Sequence, residues 1–332
     1  MLKGAIVGFG EVARHGHWPA FSDSHDAAIV AVVDRTAERR ELAATLGRSV
    51  STYETIEELA RAEEIDFIDI CTPPALHPQP MLDAISRRWH VLCEKPFLLD
   101  PVVVDVVRAN AAAAGVAVVP VDNWKYAPIV RRATDALRSG AIGGLRQVEI
   151  ETSRVRNAPS ADPARPNWRR DGAIAGGGIL MDHGWHAVYL TLQWFGAPAS
   201  AVGALLHHPP GGGVEDEATV TLTFPSGEAT IALTWNGNDR WNSMRLIGDR
   251  GEIVIADDVL HVRGTTMATE KFDHALSVGS HHPEWFAAML PAVFASFHEP
   301  ARARASFEEA AHCLSIIQQA YRVDMSLAEK SR

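Results

Sequence analysis

Short, mostly apolar runs alternate along the first third of the chain with segments of helical composition. The runs are Ala5-Ile6-Val7, Ala28–Val33, Phe67–Cys71, His90–Glu94 and Val116–Val121. A run that is apolar on nearly every residue fits a strand buried on both faces. Between these runs the pattern predicts helices from a glycine turn to about Phe21, over Thr36–Leu46, around Met81–Arg88 and over Val102–Ala114. Strand and helix taken in turn require crossover connections, which predicts a parallel sheet with helices on both faces.

The pattern changes near Asp122. A helix from about Ala127 to Arg138 leads to Leu145–Arg154, which alternates like a half-exposed strand. Residues 155–175, rich in proline and arginine, read as a long loop of the kind that is often functional. A helix from about Ile179 to Phe195 follows, stopped by Gly196 and Pro198. Ala218–Phe224, Glu228–Trp235, Ser243–Ile247 and Gly251–Ile255 are strands joined by short turns, which predicts an antiparallel sheet. Along the first of these, Val220, Leu222 and Phe224 face one side, and Thr219, Thr221 and Thr223 the other. Helices around Pro283–Ser296 and Ser306–Asp324 close the chain. The expected class is α/β: a doubly wound parallel sheet over 1–122, then an α+β domain with a large, open, mostly antiparallel sheet over 123–332. The C-terminal helix is expected to pack back on the first domain.

A length of 332 residues suits about two domains. The hydrophobic share of 47% and charged share of 22% are those of an ordinary globular protein. A formal net charge of −10 argues against nucleic acid or an anionic membrane as the main partner. Without a signal-peptide layout or an apolar run of about 18 residues, a cytoplasmic location is expected. Cys71 and Cys93 lie in apolar runs and read as inert buried thiols, and the cysteines show no metal-ligand spacing, so no metal is expected.

Gly8-Phe9-Gly10-Glu11-Val12-Ala13 follows the first strand and opens the first helix. Two glycines let the backbone turn tightly and approach a pyrophosphate, whose charge the helix N-terminus stabilises. Asp34 ends the second strand, where a carboxylate accepts bonds from an adenosine ribose and repels a 2′-phosphate. The pattern is that of a Rossmann-type dinucleotide site, with NAD favoured and NADP left open by the neighbouring Arg35. Asp34 acting only as a cap for the next helix is the alternative.

Glu94-Lys95-Pro96 places a lysine where a buried strand ends, at the edge where open parallel sheets bind ligands. Farther on, Gly176-Gly177-Gly178 precede a helix carrying Asp182 and His186, four apart and so on one face. An acid and an imidazole so placed can act as orienting partner and base in proton transfer. A purely structural pair is the alternative, and no third ligand supports a zinc site. His183 and Trp185 point elsewhere on the wheel, with Trp185 able to edge into a pocket. His281 and His282 read as surface or capping residues.

Taken together, Gly8-Phe9-Gly10, Asp34, Thr72-Pro73-Pro74 with His77, Glu94-Lys95-Pro96, Asn167-Trp168-Arg169 and the Asp182…His186 helix make the chain resemble a known family. It is the glucose–fructose oxidoreductase / inositol dehydrogenase / rhizopine-catabolism family of NAD(P)-dependent dehydrogenases. The resemblance implies a catalytic set of Lys95, Asp182 and His186 in the cleft between domains. Lys95 would bond the reacting hydroxyl, His186 take its proton, and Asp182 orient and assist. Gly8, Phe9, Gly10, Glu11, Val12, Asp34, Arg35, Thr72, Pro73, His77 and Glu94 would hold the cofactor, the last four of them on the nicotinamide side. Asn123, Lys125, Tyr126, Trp168 and Trp185 would join the catalytic set around the substrate.

The implied function is hydride transfer between a secondary alcohol of a sugar, inositol or related polyol and the nicotinamide. Alternatives on the same fold are an NAD-dependent glycosidase and a non-catalytic dinucleotide-sensing regulator. The resemblance also implies a homodimer or homotetramer through the second-domain sheet. Two positions depart from the family pattern: Asn123-Trp124-Lys125-Tyr126, where an aromatic and then an arginine are common after the asparagine, and Tyr189, where an acid is common. Arg154, Arg156, Arg169 and Arg170 read as braces of the long loop, with contacts to an acidic or phosphorylated sugar as the alternative.

Overall fold

The structure is a computed structural model and describes residues 1–46, 50–156 and 167–330. The chain forms two compact units, one of Met1–Asn123 with His281–Ala311 and the other of Trp124–Ser280 with His312–Arg332.

The first unit is built on six strands: β1 (Leu2–Val7), β2 (Ala27–Val33), β3 (Ser51–Tyr53), β4 (Phe67–Ile70), β5 (His90–Cys93) and β6 (Val118–Pro120). They lie in the order β3-β2-β1-β4-β5-β6, every neighbouring pair parallel. Helices α1 (Trp18–Ser22), α2 (Ala37–Ala44), α3 (Ile56–Ala62), α4 (Pro78–Ser86) and α5 (Pro101–Ala114) make the connections. Ile6, Phe67, Ile68, Ile70 and Leu92 are fully buried, and each adds about 1.5–3 kcal/mol by leaving water. The chain winds outward in both directions from β1 and β4. Their carboxyl ends are therefore the switch point at which such sheets bind ligands.

The second unit carries β7 (Leu145–Ser153), β8 (Ala201–His207), β9 (Glu217–Phe224), β10 (Gly227–Thr234), β11 (Trp241–Gly248), β12 (Gly251–Ala256), β13 (Val259–Arg263) and β14 (Met267–Lys271). Their order is β14-β13-β12-β11-β7-β10-β9-β8. All neighbours are antiparallel except β7 and β10, which run parallel because the segment between them crosses over rather than turning back. Val220, Leu222 and Phe224 are buried while Thr219 and Thr223 are exposed, as the alternation predicts. Helices α6 (Pro128–Arg138), α7 (Gly172–Ala175) and α8 (Trp185–Phe195) belong to this unit. The chain ends with α9 (Pro283–His298) and the long α10 (Pro300–Lys330). In the first unit, Phe294 and Phe297 of α9 pack against Phe67 with ring centroids 6.1 and 5.6 Å away.

Four strands and one helix escape the sequence pattern: β3, α3, β8, β13 and β14. β3 has three half-buried residues, and β8 and β14 lie at the sheet edge with almost no fully buried side chains, so no apolar alternation marks them. The loop expected over 155–175 contains a 3₁₀ turn at Trp168–Arg170 and α7; residues 157–166 fall outside the described residues. The helices expected to begin at the glycine turn and at Ile179 both contain a π-turn, at Ala13–His17 and at Leu180–Gly184. Among the described residues no helix is long and apolar enough to cross a membrane.

Candidate active site

The turn after β1 is shaped for glycine. Gly8 has φ of +88°, and a Cβ there would meet Thr72 Cγ2 at 2.7 Å and the Thr72 backbone nitrogen at 2.9 Å. Gly10 has open space where a Cβ would stand. Asp34 accepts the Phe9 N–H through Oδ2 and the Thr36 N–H through Oδ1, each at 2.8 Å. The carboxylate thus ties the glycine turn to the backbone of Thr36, the residue just before α2. Each oxygen keeps a second lone pair for another donor.

At the ends of β4 and β5 lies a buried polar cluster. The His17 imidazole donates from Nδ1 to Asp69 Oδ2 at 2.7 Å and from Nε2 to Glu94 Oε1 at 2.9 Å. Burial alone would lower the His17 pKa, but the Asp69 charge and bond outweigh it and hold it well above its ordinary value. Burial would raise Glu94, but its bond to His17 and the charges of His17 and Lys95 draw it below the usual carboxylate value. Glu94 Oε2 accepts the backbone N–H of Lys95 at 2.9 Å, and the Lys95–Pro96 peptide is cis. Burial pushes the neighbouring Cys71 thiol up to about 12, so it is inert as expected. His17, Asp69 and Cys71 hold ligand-type atoms within 4.8 Å of one another. Both imidazole nitrogens are already engaged by carboxylates, which removes the lone pair a metal needs.

In the second unit, the glycines before the second π-turn answer to two neighbours. A Cβ on Gly177 would collide with the Tyr321 hydroxyl, and one on Gly178 with the Glu215 backbone. The Glu215 carboxylate is 1% exposed. It accepts Gly178 N–H at 2.9 Å, Leu180 N–H at 3.0 Å and the Tyr321 hydroxyl at 2.8 Å. This clamp sets the segment that carries Asp182.

Asp182 Oδ2 lies 3.5 Å from His183 Nδ1 and 3.9 Å from Arg169 Nε. His183, which a regular wheel turns away, therefore shares the acid's surroundings; the π-turn widens the helix there. His186 is 7% exposed, its Nδ1 is 2.8 Å from the Tyr189 hydroxyl, and its ring stacks on Trp124 with centroids 4.8 Å apart. Tyr189 in turn accepts the Trp124 backbone N–H at 3.1 Å, and Lys125 Nζ stands 5.3 Å from its ring centre.

Two stretches of the chain match family models: residues 2–121 an oxidoreductase family with an NAD-binding Rossmann fold, and residues 130–254 the GFO/IDH/MocA C-terminal domain. The chain belongs to the GFO/IDH/MocA oxidoreductase family. It is 32% identical to 1,5-anhydro-D-fructose reductase of Ensifer adhaerens over 68% of this chain and 67% of that one. It is 28% identical to D-apiose dehydrogenase of Paraburkholderia graminis over 69% of this chain, which spans 59% of that protein. The chain spans about three fifths of the length of the first curated relatives it matches. A crystal structure of an Agrobacterium radiobacter oxidoreductase with NAD+, L-tartaric acid and magnesium shares the fold. Its TM-score is 0.85 at 20% identity, covering 98% of this chain and 96% of that one.

The GFO/IDH/MocA nucleotide site fits the residues present. Thr72 Oγ1 is buried without a hydrogen-bond partner beside Gly8, and Gly10 leaves room for a close-lying group. Glu11 is partly exposed and pairs with Arg39 and His15 at 3.3 and 3.4 Å, Val12 lies just before the first π-turn, and Arg35 is exposed. Two assignments change. His77 is fully buried with its ring nitrogens 2.7 Å from the Thr72 carbonyl and 3.1 Å from that of Phe97; it braces the Thr72-Pro73 turn instead of presenting a ring to a ligand. Trp185 is 1% exposed and its carbonyl accepts from the Cys313 thiol, so it is core. Asn123, Lys125 and Tyr126 share one 3₁₀ turn with the buried Trp124, and Arg169 stacks over Trp168 at 4.3 Å. Arg154 is 2% exposed and donates to Ser153, Trp241 and Asn242, at the ends of β7 and β11. Sequence reasoning missed His17 and Glu215, and met Trp124 only within the Asn123-Trp124-Lys125-Tyr126 departure from the family pattern.

Proposed function

We propose that this chain moves a hydride between a secondary alcohol of a sugar, inositol or related polyol and a nicotinamide, with Lys95, Asp182 and His186 as the catalytic residues. The observation that carries the reading is the setting of His186. Its Nδ1 lies 2.8 Å from the Tyr189 hydroxyl and its ring stacks on Trp124, and in this reading Nε2 takes the proton of the reacting hydroxyl. Lys95 directs its ammonium at the hydroxyl oxygen and stabilises negative charge as it develops. Asp182, with Arg169 and His183 beside it, orients the exchanging groups. The nicotinamide supplies the hydride acceptor or donor.

The names of the fructose-derivative reductase and the apiose dehydrogenase support a carbohydrate substrate. Asp34 favours NAD over NADP in this reading, because its carboxylate repels a 2′-phosphate. We assign nucleotide binding to the unit of Met1–Asn123 with His281–Ala311, so that the stretch 281–311 leaves the expected second domain, and substrate binding to the unit of Trp124–Ser280 with His312–Arg332, with two or four copies joined through the second sheet. Light scattering behind a sizing column tests the assembly. Formation of NADH or NADPH across a panel of sugars, inositols and sugar acids tests the function; a folded protein that binds NAD and reduces it with none of them would overturn it.

A further inference from the structure

We propose that His17 is a positioning residue for Lys95, tying the helix that follows the dinucleotide turn to the segment that carries the lysine; this rests on the reading of Lys95 given above. The chain of contacts is short and wholly within the first unit. His17 ends the π-turn that begins at Ala13. Its Nε2 donates to Glu94 Oε1, and Glu94 Oε2 accepts the backbone N–H of Lys95, both at 2.9 Å. Asp69 of β4 holds the other ring nitrogen at 2.7 Å, and Phe286 of α9 stacks on the ring face at 3.7 Å. His17 is 1% exposed and Asp69 fully buried, so the ring has one orientation.

A buried histidine serving only as filler has no reason to bridge two carboxylates from separate strands. Two acids brought together in the interior repel one another, and the shared imidazolium offsets that repulsion while fixing both. Glu94 is one end of this bridge and the residue directly before Lys95. Its rotamer therefore sets where the lysine's backbone begins. The π-turn carries the ring away from the glycine turn and inward to Glu94, on the side of Lys95.

The test uses the full chain with His17→Gln, which keeps a donor, and His17→Leu, which does not. Three readouts are taken: NADH affinity by fluorescence titration, kcat with the substrate found by the panel, and acetic anhydride labelling of Lys95 relative to Lys3 and Lys271 by mass spectrometry. A displaced lysine lowers kcat on the order of a hundredfold in His17→Leu. NADH affinity stays near wild type, the Lys95 labelling ratio changes, and His17→Gln recovers part of the loss. If the leucine protein does not fold, the glutamine protein alone carries the comparison. Unchanged kcat and labelling with a lowered Tm would make His17 a brace of the fold and overturn the proposal. NADH affinity lost in step with kcat would overturn it as well. If the wild type turns over no substrate, the assigned function fails separately, and the labelling ratio still decides the role of His17.

Discussion

The Tyr189 hydroxyl lies 2.8 Å from Nδ1 of His186, and the same oxygen accepts the Trp124 backbone N–H. One phenol thus fixes the imidazole and anchors the turn whose indole stacks on it. A phenol directs the ring without adding a negative charge, unlike the acid expected at this position from the family pattern.

Tyr189→Phe removes both bonds. The expected result is a kcat lowered about ten- to a hundredfold with the cofactor KM unchanged, since the ring is misaimed rather than lost. The orphaned Trp124 N–H adds a stability cost of about 1–3 kcal/mol, read in urea unfolding. Wild-type kcat in this variant would remove Tyr189 from the site.

Lys95→Met keeps the length of the side chain and deletes its charge. If the ammonium stabilises a developing oxyanion, kcat falls about 10²–10³-fold while NADH still binds. Steady-state rates paired with NADH fluorescence titration separate the two effects.

The sequence exposes what repeats and hides what is singular. Gly8, Asp34 and Lys95 were legible because each stands at the end of an apolar strand run, where a polar or glycine residue breaks the pattern. The same rule made β9 readable, since Val220, Leu222 and Phe224 alternate with threonines. Edge strands such as β8 and β14 bury too little to alternate. The two π-turns add a residue to a helical turn without a compositional mark, so the neighbours of His17 and His183 could not be read from a helical wheel. Tyr189 was visible as a departure from the family pattern, but its bond to His186 depends on three-dimensional placement.

Asp34→Asn tests cofactor choice. Asparagine keeps one acceptor oxygen for the Phe9 or Thr36 N–H and removes the charge that repels a 2′-phosphate. Fluorescence titration is expected to show NADPH affinity rising about tenfold, worth ~1.4 kcal/mol, while NADH affinity falls. An unchanged ratio of the two would show that Asp34 acts on the turn alone.

Acid should loosen the first unit through Glu94. Its folded pKa is depressed below the ordinary 4.5, so its contribution is complete above that value and lost as pH falls through the folded value. His17 runs the other way: raised above 6.5 by Asp69 against the opposing effect of burial, it contributes fully below 6.5 and loses its share as pH climbs through the raised value. The groups facing the ring are Asp69, Glu94 and Cys71, with the apolar Phe286 on its face. The stability gap between wild type and Glu94→Gln is therefore expected to be widest between these limits and to close on acidification. Urea midpoints across the acid range give the answer, and a gap that does not change with pH would contradict it.

Gly178 should tolerate no side chain, and for a reason different from that at Gly177. A methyl at Gly177 meets the end of the Tyr321 side chain, which gives way only by loosening its bond to Glu215 while the backbone stays in place. At Gly178 the obstacle is the Glu215 backbone, held by its own carbonyl accepting Ile179 N–H at 3.1 Å and by the carboxylate clamp on Gly178 and Leu180. The Glu215 segment before β9 and the π-turn cannot part without giving up those bonds, each of net worth about 1 kcal/mol and more where the acceptor is charged. Gly178→Ala is thus expected to destabilise by at least the ~1–3 kcal/mol of an overpacked core site, and to lower kcat because Asp182 rides on the displaced turn. Gly177→Ala should cost less in both respects. Thermal unfolding and turnover of the pair decide it: equal effects at the two glycines would mean that the Glu215 clamp does not set the position of Asp182.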